Sequence, residues 1–166
     1  MSTNRQKSFI AELATNMGHL HFPQLTSGGE DASNVLCIDP DKTRASVKFY
    51  FRCTNNFYHL YLRTPGNYYG KILGVDNGGR VIATNNNAAA TFNLIDAKNR
   101  IVTLDDLAAD KQTLRIRNTR VIATLSRMNR PGRGYLIHGL GGGVRLDFYL
   151  NILERNSAYL DSPDEV

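Results

Sequence analysis

Residues 47–69, VKFYFRCTNNFYHLYLRTPGNYY, decide how the chain is read. Val47, Phe49, Phe51 and Cys53 alternate with Lys48, Tyr50 and Arg52, which is the two-residue period of a strand with one face on a core. Thr54-Asn55-Asn56 is a turn signal, because asparagine tolerates left-handed backbone and hydrogen-bonds its own main chain. The aromatic run from Phe57 to Leu62 favours a strand again. The two runs therefore predict an antiparallel hairpin, and Pro65-Gly66-Asn67 makes a second turn beyond it.

Further strands flank this hairpin. Residues 35–38 form a short apolar run, and Asp76-Asn77-Gly78-Gly79 is a third turn, before a strand at 80–83. Beyond that point the spacing changes. In residues 118–128, Val121, Ile122, Leu125 and Met128 recur at helical intervals, as do Leu146, Leu150 and Leu153 in residues 144–154. Residues 88–96 suit a short helix, and residues 105–109 a helical turn. At the other end Phe9, Ile10, Leu13 and Met17 predict a helix over residues 6–17, stopped by Gly18. Helix, strands, then helices is the order of an α+β fold, with an N-terminal mixed or antiparallel sheet followed by a helical half. No internal repeat and no linker stand out, so residues 1–156 are expected to form a single domain. The polar stretch 157–166 is expected to be a disordered tail.

The hydrophobic share of 42% and charged share of 21% exclude a disordered chain. Lys and Arg total 20 against 15 Asp and Glu, a net charge of +5 that favours a polyanionic partner. The excess is local. Between Asp110 and Asp147 there is no acidic residue, and Lys111, Arg115, Arg117, Arg120, Arg127, Arg130, Arg133 and Arg145 all fall there. Arginine's planar fork suits phosphate, so the region predicts salt-sensitive RNA binding. The aromatics Tyr58, Tyr61, Tyr68 and Tyr69 could hold unstacked bases, although strand aromatics are also ordinary core residues. Cys37 and Cys53 lack zinc-ligand spacing and sit in apolar runs, which predicts buried thiols, with no metal and no cofactor. No apolar leader follows the polar N-terminus and no run is long enough to span a membrane, so a cytoplasmic, membrane-free monomer is expected.

In this order the segments resemble the ribosome-inactivating proteins, the plant rRNA N-glycosylases, and RTPG at residues 63–66 looks most like the cereal members. SFIAEL at 8–13, VTLDDL at 102–107, TRVIATL at 119–125 and GGGVRLDF at 141–148 are similar to successive segments of that family, with the C-terminal part missing. The resemblance implies the family's α+β fold, C-terminally short. It also implies depurination of large-subunit rRNA on the ribosome, with inhibition of translation. Tyr58 matches the first base-stacking tyrosine and Arg145 the catalytic arginine. The catalytic glutamate position falls on Gly142 and the second tyrosine on Leu104, so chemistry should suffer more than binding. Arg115, Arg117, Arg120, Arg127, Arg130 and Arg133 would contact RNA.

One other likeness competes. ILGVDNGGRVIAT at 72–84, followed by TFNLI at 91–95, is similar to one repeat of a fascin- or lectin-like β-trefoil. It implies a carbohydrate- or protein-binding module, and a trefoil requires three such repeats.

Overall fold

Strand structure like that of residues 47–62 recurs throughout the described residues. The computed structural model describes residues 2–22, 34–39, 46–66, 68–130 and 134–157. Its strands run β1 (Phe9–Thr15), β2 (Gly18–His21), β3 (Cys37–Asp39), β4 (Val47–Thr54), β5 (Phe57–Leu62), β6 (Ile72–Val75), β7 (Val81–Thr84) and β8 (Phe92–Ile95). After these come β9 (Ile101–Val102), β10 (Lys111–Asn118), β11 (Ala123–Thr124), β12 (Ser126–Arg130), β13 (Gly134–His138), β14 (Val144–Arg145) and β15 (Phe148–Arg155). Among the described residues the only helical segments are three-residue 3-10 turns at Arg5–Lys7, Asn86–Ala88 and Leu104–Asp106.

Six strands close a barrel. β1 pairs with β4, β4 with β5, β5 with β8, β8 with β10, β10 with β15, and β15 returns to β1, all antiparallel. Closure leaves the barrel without an open edge. Three hairpins, β2–β3, β6–β7 and β12–β13, cap one end. They join one another through Tyr135 opposite Ile38, a bridge between Val35 and Ile82, and a bridge between Arg80 and His138.

The register exposes a pseudo-threefold repeat. Phe49 opposes Leu62, Phe92 opposes Asn118 and Phe148 opposes Thr15, so three phenylalanines occupy equivalent places in the layer nearest the caps. The next layer sets Phe51 against Leu60, Leu94 against Ile116 and Leu150 against Leu13. All twelve side chains are buried. Three repeats of four principal strands, forming a capped six-stranded barrel, define a β-trefoil. The repeat glimpsed in residues 72–95 is its second: β6, a turn, β7 and β8.

Two turns are near copies. In DNGGR the Asp76 carboxylate accepts from the Gly78 and Arg80 amides at 3.0 and 2.9 Å and from Arg80 Nε at 2.7 Å. In DAKNR, Asp96 accepts from the Lys98 and Arg100 amides at 3.0 and 2.9 Å and from Arg100 Nε at 2.8 Å. The main-chain and then the side-chain bonds from Arg100 hold the Asp96 carboxyl below its ordinary range. The fourth position is left-handed in both, with Gly79 at φ +85 and Asn99 at φ +65.

The α+β expectation is overturned, and with it the helical half and the ribosome-inactivating fold. The helix expected at 6–17 is mostly β1. Phe9, Ala11, Leu13 and Thr15 point inward, while the outward Ile10 is covered by Tyr50, Tyr61 and Ile72. A barrel strand covered on both faces places apolar residues at i, i+1 and i+4, which imitates helical spacing. Residues 144–154 are β14 and β15: Leu146, Phe148, Leu150 and Ile152 alternate inward, and Leu153 faces solvent. The left-handed glycines Gly141, Gly142 and Gly143 break the chain just before. In residues 118–128, Val121 and Ile122 form an exposed loop and Leu125 is buried. The short helix expected at 88–96 is largely β8, and residues 105–109 carry only part of the 3-10 turn Leu104–Asp106. Residues 26–33, whose Ser, Gly and Asp content predicts most of a loop at 26–34, lie outside the described residues, as do Asn67, Arg133 and the expected tail from 158 onward.

Candidate functional site

The barrel wall made by β4, β1, β15 and β10 carries a candidate surface site. Outward positions line up across strands by register. Lys48 opposes Glu12, Glu12 opposes Asn151, and Asn151 opposes Lys111, giving one polar row across four strands. The adjacent row sets Tyr149 between Ala14 and Thr113. Asn151 Nδ2 donates to Glu12 Oε2 at 3.0 Å, which aims the carboxylate along the row. All of these except Lys48, together with Ser46 and Gln112, line a cleft of about 430 Å³.

Pseudo-symmetry makes Tyr149 conspicuous. Counting from Phe49, Phe92 and Phe148, the equivalents of Tyr149 are Tyr50 and Asn93. Tyr50 is fully buried beneath Ile10, Tyr61 and Ile72. Asn93 accepts from Arg117 Nη2 at 3.1 Å. Tyr149 alone keeps an open aromatic face, 48% exposed, because Ala14 and Thr113 are too small to cover it.

The residues matched to the glycosylase site are not brought together. Tyr58 is completely buried in the barrel layer farthest from the caps. Its hydroxyl donates to the Lys7 carbonyl at 2.9 Å and accepts from the Leu104 amide at 3.0 Å. Burial also pushes that hydroxyl's pKa above the usual tyrosine range. Leu104 is buried beside it. Gly142 lies in the glycine turn near Met128, and Arg145 is exposed on β14, opposite Ser126 of a cap strand. A tyrosine locked inside the barrel has no face to offer a base, so the stacking role that the resemblance implied loses its basis together with the fold.

The arginines expected to bind RNA are distributed over several surfaces. Arg115 donates to the Asp96 carbonyl at 3.2 Å and to Asn99 Oδ1 at 3.4 Å, alongside Arg117 on the barrel wall. Arg120 is on the loop after β10, and the Arg127 guanidinium lies 4.3 Å over the Tyr135 ring. Arg130 ends β12. Cys37 and Cys53 are buried, with the Cys53 thiol pKa raised by desolvation. Among the described residues no three His, Cys, Asp or Glu side chains gather as metal ligands.

No protein-family model, no curated protein and no solved structure matches the chain. The fold class therefore stands on the topology alone, and the expected membership of the N-glycosylase family is corrected by the all-β barrel.

Sequence reasoning missed Tyr149, Glu12 and Asn151. The available signal was the alternation of FYLNILER, which puts Tyr149 and Asn151 on one face and Phe148, Leu150 and Ile152 on the other.

Proposed function

We propose that the protein is a carbohydrate-binding module that holds a sugar against the β1–β15–β10 wall. The observation that carries this reading is the uncovered Tyr149 ring beside the row Glu12, Asn151 and Lys111. A sugar ring has an apolar C–H face and a periphery of hydroxyls. The first suits an aromatic plate. The second suits a carboxylate acceptor, an amide and an ammonium donor set at strand spacing. The cleft is open to solvent, which admits a chain terminus or an internal residue of a glycan.

The test is titration calorimetry with soluble mono- and oligosaccharides chosen from a glycan array. Tyr149→Ala should lower affinity roughly 5–30-fold, because one aromatic contact contributes about 1–2 kcal/mol. Its melting temperature should stay near that of the parent, since an exposed wall residue supports little of the core. An array with no hits, or full binding by Tyr149→Ala, would refute the assignment.

A further inference from the structure

A different surface, unrelated to the wall cleft, carries a second reading. The loop at residues 119–122 leaves β10 and presents Val121 and then Ile122, which is 71% exposed. Leu140 is exposed next to it, since Arg120, Val121 and Leu140 line one cavity of about 410 Å³. Asn118 Nδ2 ties the two loops together by donating to the Gly139 carbonyl at 2.9 Å. Further along, β14 pairs with β12, with the exposed Val144 opposite Arg127.

The backbone at Ile122 is the second observation. Five described non-glycine residues have positive φ: Asn55, Asn56, Asn99, Asn156 and Ile122. Asparagine is the residue that tolerates this region, and a β-branched side chain is strained in it. Four such places in this chain follow that rule. At the fifth, an isoleucine at φ +52 sits mostly in solvent, where folding gains nothing from its side chain. Strain kept without local packing points to a use for the side chain outside the folded monomer.

The charges indicate what lies opposite. Arg120 adjoins Val121 in the loop and Arg145 sits on β14 opposite Ser126; both are exposed, and among the described residues nothing accepts a hydrogen bond from either guanidinium. Along the chain no acidic residue lies between Asp110 and Asp147, and Asp76, which lines the same cavity as Arg120, is already paired with Arg80 at 2.7 Å. We propose that this edge docks on an anionic lipid surface, with Val121, Ile122 and Leu140 entering between headgroups and Arg120 and Arg145 meeting lipid phosphates and carboxylates. Aliphatic residues on a projecting loop tip between cations match a bilayer interface, which is apolar beneath a negative layer.

The experiment is flotation of the full chain with vesicles of phosphatidylcholine alone and with added phosphatidylserine, at low and high salt. The parent protein should bind the anionic vesicles at least about tenfold better than the neutral ones, and salt should weaken that binding. Ile122→Asn should raise the melting temperature by about 2–4 °C, by relieving the left-handed strain, and yet lower vesicle binding several-fold. Those opposite signs separate a docking side chain from a structural one. Arg120→Gln with Arg145→Gln should abolish the preference for anionic lipid without altering the melting temperature. The proposal fails if the parent ignores vesicles, if Ile122→Asn binds them undiminished, or if the edge captures RNA or an acidic protein while leaving vesicles unbound.

Discussion

Replacing Gly79 with alanine should destabilise the fold far more than the same change one residue earlier. Gly79 has φ +85, and a Cβ built on it would overlap His138 Nε2. That imidazole is not a free end that swings aside. It is buried at the junction of two caps. Nε2 lies 3.2 Å from the Gly78 carbonyl, and the Leu140 amide lies 3.4 Å from Nδ1. A carbonyl only accepts and an amide only donates, so Nε2 faces an acceptor and Nδ1 a donor, and the ring is engaged on both sides. Left-handed backbone costs alanine roughly 1–2 kcal/mol. Displacing the ring and stranding the Gly78 carbonyl costs about 1–3 kcal/mol more. Alanine's smaller unfolded-state entropy returns about 0.4–1 kcal/mol, leaving a net loss near 2–4 kcal/mol. For a chain of this size that lowers the melting temperature by about 5–15 °C. Gly78→Ala, with ordinary φ and its nearest neighbour at 3.5 Å, is the control and should stay within about 0.5 kcal/mol. Gly79→Asn separates the two causes, because asparagine fills the twin position at Asn99 with φ +65. It escapes the backbone penalty but keeps the clash. Calorimetry on these variants, together with Gly79→Ala in a His138→Ala background, closes a double-mutant cycle. An alanine variant as stable as the parent, or no coupling to His138, refutes the account of the cap junction.

Two further outcomes follow from buried and half-buried rings. Tyr58→Phe should cost about 1–3 kcal/mol in chemical denaturation, because it strands the Lys7 carbonyl and the Leu104 amide that the hydroxyl joins. A stability equal to the parent's would show that the hydroxyl does not tie them. His59 lies opposite Arg52, and burial first and then the Arg52 charge depress its pKa below the ordinary 6.5. The unfolded chain therefore takes up that proton first. Stability should rise with pH between the depressed value and 6.5, with the His59 contribution fully present above 6.5 and lost as pH falls through that window. Subtracting the His59→Gln stability profile isolates the slope, and identical profiles would exclude it.

The hairpin β4–β5 was legible because its information is local. Alternation, the Asn55-Asn56 turn and aromatic strand preference lie within sixteen residues of one another. The twin Asp-to-Arg turns were half legible, as turns but not as copies. Barrel closure was not legible, since it depends on Phe9 facing Arg155 and on Glu12 meeting Asn151, 139 residues away. No local period records such a pairing. The repeat was hidden for another reason. Equivalent core places hold Leu13, Leu60 and Ile116, or Thr15, Leu62 and Asn118, and a barrel layer requires volume more than identity. Two equivalent sets kept one residue type across all three repeats: Phe49, Phe92 and Phe148 in the barrel, and Leu20, Leu73 and Leu125 where the caps begin.

The same divergence created the candidate site. While the repeats shared a core layer, their outward positions were free to differ. Tyr50 became covered by its neighbours, Asn93 was bound by Arg117, and Tyr149 stayed open between Ala14 and Thr113. A site of this kind consists of three strands' side chains aligned by register. Its residues acquire meaning only once the barrel is closed. An exposed tyrosine, a glutamate and an asparagine are unremarkable apart. They become one surface because the β15–β1 and β15–β10 pairings place them at strand spacing, and the covered mate Tyr50 shows that leaving Tyr149 bare is not imposed by the fold.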